Sequence, residues 1–89
     1  MRHVNDDDIQ TSEMKIEKAG VKSGQRYRHA VTGSVYVVRD VGLFEGDLEP
    51  MVSYKRDEGD RIWFRYMSVF CGHVVHENTL IQRFVLIKE

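Results

Sequence analysis

From Gly24 onward, the apolar residues of this chain recur every second position, in short runs separated by turn formers. A period of two puts successive side chains on opposite faces of a strand, so this pattern commits most of the sequence to β structure. The run Ser34-Val35-Tyr36-Val37-Val38-Arg39-Asp40-Val41 is the strongest, being rich in β-branched and aromatic residues. Residues 26–30, 49–54, 61–65, 73–76 and 80–87 read as further strands. Thr32-Gly33, Asp57-Glu58-Gly59-Asp60 and Glu77-Asn78 supply turns, and 42–48 reads as a loop. Pro50 is tolerable only near the beginning of its strand or on an edge. Residues 66–72 have the makings of one helical turn closed by Gly72. Five or six short strands joined by tight turns imply a small antiparallel barrel, in which closure removes exposed edges.

Residues 1–22 differ from the rest. Asp6-Asp7-Asp8 suits the positive end of a helix dipole, and Ile9, Ile16 and Ala19 fall near one helical face before Gly20. Met14 and Ile16 also alternate like a strand, so the segment reads as an acidic extension with a short helix as one of its options. Eighty-nine residues allow one domain, here a barrel at 23–89 preceded by that extension. The net charge of −1 gives no global attraction to nucleic acid or to anionic membrane. A single cysteine, Cys71, excludes an intramolecular disulfide. The acidic N-terminus without an apolar segment, and the lack of any membrane-length apolar run, lead us to expect a cytoplasmic protein with no membrane partner.

The residues that stand out are aromatic and charged side chains inside these strands, above all Tyr27-Arg28-His29 and Trp63-Phe64-Arg65. By strand parity, Tyr27 shares a face with His29, Tyr36 with Val38, Val52 with Tyr54, and Trp63 with Arg65, whereas Arg28 and Phe64 face the other way. Two readings follow. In one, these side chains brace the barrel internally, Arg65 pairing with Glu49 while His29 and the tyrosine hydroxyls satisfy one another. In the other, they form a shallow aromatic-walled site whose arginines meet an anionic or planar ligand.

Other constellations carry less. Arg26, Arg28, Lys55, Arg56, Arg61 and Arg83 could form a basic stripe, diluted by Asp57, Glu58 and Asp60. Cys71-x-His73-x-x-His76 invites a zinc reading, but on a strand the two histidines point to opposite faces and a fourth ligand is not evident. Neither a nucleophile motif nor a phosphate-binding loop nor a dinucleotide fingerprint is present, so no cofactor is expected.

The same landmarks resemble a bacterial and phage domain family of unknown function, number 1653. The resemblance runs from Gly24 to Phe84. It rests on Gly24 with Tyr27-Arg28-His29, then Gly33, Tyr36-Val37-Val38, Glu49-Pro50, Val52-Ser53-Tyr54, Trp63-Phe64-Arg65, Phe70 and Arg83-Phe84. The chain departs from the family pattern in the 42–48 loop, at Tyr66 where a proline is usual, and in a first turn one residue longer. The resemblance implies a small SH3-like barrel and brings no activity with it.

The sequence therefore leads us to expect an all-β, SH3-like antiparallel barrel of five to six strands that acts as a non-catalytic binding module. A nucleic acid or nucleotide-like ligand would meet Tyr27, Arg28, His29, Tyr36, Glu49, Tyr54, Trp63 and Arg65. The alternative is a protein-protein interaction domain, a phage or accessory protein acting on a host complex. An enzyme is the least favoured reading. Residues 80–87, apolar on both faces through Val85 and Leu86, could also pair with a second copy as a homodimer.

Overall fold

A computed structural model describes residues 6–88; the first five residues of the extension and Glu89 lie outside the described residues. The chain opens with helix α1 (Asp6–Ala19). Strands β1 (Arg26–His29), β2 (Val35–Leu43), β3 (Pro50–Arg56) and β4 (Ile62–Tyr66) follow. After them come a helical turn α2 (Met67–Phe70), then β5 (His73–His76), β6 (Thr79–Gln82) and β7 (Phe84–Leu86). The structure is mainly β. Five strands form one antiparallel sheet in the order β4-β3-β2-β1-β7, and β5 and β6 form a separate hairpin.

The extension is a helix because its first turn is acidic and Gly20 ends it with a left-handed backbone, φ +72°. The face turned inward is the one that Ile9, Ile16 and Ala19 share, but it is buried only at its middle. Ile9 and Ala19 are exposed, and the residues facing the sheet are Ser12, which is buried, and Ile16, which packs on the core. Ser12 Oγ donates to the carbonyl of Leu48 over 2.7 Å. A polar residue thus holds the helix, a contact that a hydrophobic pattern cannot announce.

Two further departures have local causes. In β2, Val38 faces Tyr54 while Asp40 faces Ser53, so Arg39 is an extra, bulged residue. The bulge resets the parity and turns Val41 to the same side as Val52. The run at 80–87, expected as one strand, is broken at Arg83. The Arg83 amide donates to the carbonyl of Gly72, and its carbonyl accepts from Ala30, each over 2.9 Å. Those bonds send β6 to the hairpin and β7 to the edge of the main sheet. Pro50 opens β3, as its missing amide hydrogen requires.

The core is aromatic. Val21, Tyr27, Val38, Val52, Tyr54, Met67, Phe70 and Phe84 are buried together. The rings of Phe70 and Phe84 stack with centroids 4.3 Å apart, and Tyr27 and Tyr54 meet Phe70 edge-on. In so short a chain these large side chains bury the area that several aliphatic residues would otherwise supply.

Candidate functional site

Four of the eight expected residues converge around one ring, that of Phe84 on β7. Phe84 lies opposite His29 in the sheet, and the two rings meet edge-on at 5.1 Å. Tyr36 and Tyr54 approach the same phenyl ring edge-on, each at 5.7 Å. The guanidinium carbon of Arg65 stands 5.9 Å from its centroid, within cation–π range. Arg65 Nε donates to the Tyr54 hydroxyl over 2.9 Å. Trp63 sits directly across from Tyr54 on the edge strand and is half exposed.

The expected brace between Arg65 and Glu49 does not form. Glu49 turns toward helix α1, where Lys15 Nζ lies 3.4 Å from its carboxylate. Tyr27 is not at the surface either: its ring is part of the core and its hydroxyl donates to Gln25 Oε1 over 3.0 Å. Burial, with a smaller contribution from Cys71, raises the Tyr27 pKa. Arg28 projects from the opposite face, across from Val35 and Val85, and is exposed. Of the expected set, then, His29, Tyr36, Tyr54 and Arg65 come together with Trp63 beside them; Tyr27 lies next to Tyr36 but sunk in the core, and Arg28 and Glu49 lie elsewhere.

His29 is fixed by its own turn. Its Nδ1 accepts from the amides of Val31 and Thr32, at 3.2 and 3.3 Å. In the neutral ring the hydrogen must therefore sit on Nε2, which is left as a donor. Burial chiefly, and then the positive charges of Arg83 and Arg65, hold the imidazole below its ordinary pKa. Arg83 is a residue expected in the basic stripe, not at this site. Its Nε is buried without a hydrogen-bond partner. Neither Arg65 nor Arg83 belongs to an ion pair among the described residues. The signal that could have found this pair was the Arg83-Phe84 dipeptide.

The basic stripe does not present six equivalent cations. Lys55 Nζ donates to the carbonyls of Arg56, Asp57 and Gly59, locking the β3–β4 turn. Arg26 pairs with Asp57 at 2.9 Å, and Arg56 donates to Ser34 Oγ at the same distance. His73 and His76 stand on opposite faces of β5, and no metal-ligand cluster occurs among the described residues. Cys71 is half-buried, and burial raises its thiol pKa. No helix among the described residues is long and apolar enough to cross a membrane.

This geometry defines a small mainly β domain with an aromatic and arginine cluster at one end of its sheet. The chain belongs to the family described as Protein of unknown function (DUF1653), whose pattern matches residues 25–86. It is similar to the crystal structure of a protein of that family from Bordetella bronchiseptica, with a TM-score of 0.63 and 20% identity. That likeness covers 76% of this chain and 88% of the other, and it is one of fold. No curated protein matches the sequence.

Proposed function

We propose that this domain is a non-catalytic binding module, built on an SH3-like barrel framework, that takes an anionic nucleic acid or nucleotide-like ligand at the Phe84 end of its sheet. The framework reading is supported by the strand order β4-β3-β2-β1-β7, with a helical turn between the two edge strands. The ligand reading rests on one observation. Two guanidinium groups, Arg65 and Arg83, lie near enough to His29 for their charges to hold its pKa down, and no carboxylate is paired to either among the described residues. Cations without a counter-ion favour an anion beside them, and a guanidinium fork suits phosphate or carboxylate oxygens. Half-exposed Trp63 beside Tyr54 offers a face on which a base can stack. Binding fits better than catalysis because Nδ1 of His29 already serves the turn, and the neighbouring charges oppose protonation of the ring.

Trp63 is the chain's single tryptophan and so reports on this end of the sheet. Titration with nucleotides, single strands and duplexes at low salt should change its fluorescence. Arg65→Gln should weaken the response, and Arg28→Gln, on the opposite face, should not. Unchanged fluorescence and chemical shifts across all these ligands would reject the reading.

A further inference from the structure

We propose a second binding surface: the outer face of β3 and β4 docks an extended peptide segment of a partner protein, in which apolar residues are flanked by lysine or arginine. Among the described residues, strand β4 is an edge of the main sheet, and its outward side chains continue the outer face of β3 and β2. At its middle, Phe64 is 69% exposed and points away from the core, across from Ser53, whose other neighbour is Asp40. An open groove of about 520 Å³ runs beside it, lined among others by Leu43, Phe44, Met51 and Phe64.

The groove is built rather than collapsed. The Phe44 ring meets Tyr66 edge-on at 6.3 Å, and the Tyr66 hydroxyl donates to Asp47 over 2.8 Å. Asp47 in turn accepts from the Glu49 amide over 2.9 Å. Phe44 also lies so close over Gly46 that a β-carbon there would come within 2.7 Å of the ring. The charge of the groove selects the partner. Its charged lining residues are Asp40 and Glu45, both exposed and neither in an ion pair among the described residues. Apolar walls with carboxylates and no lysine or arginine complement an apolar side chain flanked by cations. This surface is separate from the Phe84 cluster, since Phe64 and Arg65 project from opposite faces of β4.

The test uses the full chain and two short fluorescent probe peptides. In one, valine and isoleucine alternate with lysine; in the other, every lysine is replaced by glutamate. The lysine probe should bind saturably and the glutamate probe should not. Phe64→Lys, and separately Asp40→Lys with Glu45→Lys, should each weaken the lysine probe by about tenfold or more. Arg65→Gln should leave it unchanged, which separates failure here from failure at the Phe84 end. Absence of saturable binding, equal binding of both probes, or wild-type affinity in the Phe64→Lys protein would overturn the proposal. So would light scattering that shows a dimer dissociated by Phe64→Lys, because a second copy would then occupy the groove.

Discussion

The Nε of Arg65 donates to the hydroxyl of Tyr54 across neighbouring strands, over 2.9 Å. One hydrogen bond to a buried phenol therefore orients the guanidinium, and its other nitrogens would meet the proposed anion. Tyr54→Phe removes the acceptor while keeping the ring. It should cost about 0.5–1.5 kcal/mol of stability, the ordinary net worth of such a bond. It should also weaken anion binding at low salt without abolishing it. Urea unfolding beside a Trp63 titration checks both, and an unaltered titration would show that Tyr54 does not position Arg65.

Protonation of His29 should destabilise the fold. The folded pKa lies below the ordinary imidazole value of 6.5. The unfolded chain therefore binds the proton more readily. The stabilisation is full above about pH 6.5 and is lost as pH falls through the lower, folded value. His29→Asn removes the titration and should flatten that part of the profile. Urea unfolding from about pH 7.5 down to about pH 5 measures it; identical slopes for the two proteins would exclude His29 as the source.

Phe70 is 1% exposed and stacks on Phe84, with Tyr27 and Tyr54 against its edge. Phe70→Ala should cost about 3–5 kcal/mol, the range for deleting a buried phenyl ring. A small domain holds little beyond that, so its thermal midpoint should fall steeply or its cooperative transition vanish. A midpoint close to that of the parent would mean the aromatic stack is not the centre of the core.

Cys71 should react slowly. Burial raises its thiol pKa and so lowers the fraction of nucleophilic thiolate at neutral pH. Alkylation of the folded protein near neutral pH should lag well behind that of the protein in urea. Equal rates would place Cys71 in open solvent.

Much of this fold was legible in the sequence, because strand periodicity is local. The runs around Val35–Leu43 and Pro50–Arg56, and the Glu77-Asn78 turn with both residues left-handed, follow from residue type and alternation. The resemblance carried by Tyr27-Arg28-His29, Trp63-Phe64-Arg65 and Arg83-Phe84 likewise agrees with the family match. What alternation could not reveal were events that break it. Arg39 is bulged by its register against Ser53 and Tyr54. Arg83 is bent by two backbone bonds to distant loops, and Ser12 is buried by a carbonyl 36 residues away in sequence. The site was half legible for the same reason. Parity placed Trp63 and Arg65 on one face, but only the fold could show that Tyr27 sits too deep and that Glu49 answers to Lys15. It also took the fold to supply Phe84 as the ring that Tyr54 and Arg65 share.

The bond from Ser12 to Leu48 reaches beyond the helix it anchors. Leu48 is buried and left-handed at φ +57°, a backbone state costly for a side chain of its kind. Its amide donates to the carbonyl of Phe44, whose ring walls the outer groove. Helix α1 is thus a splint for a loop whose working surface it does not line. If a cut near Gly20 let α1 leave, Leu48 would lose the Ser12 hydroxyl and the wall of the proposed docking groove should slacken from behind.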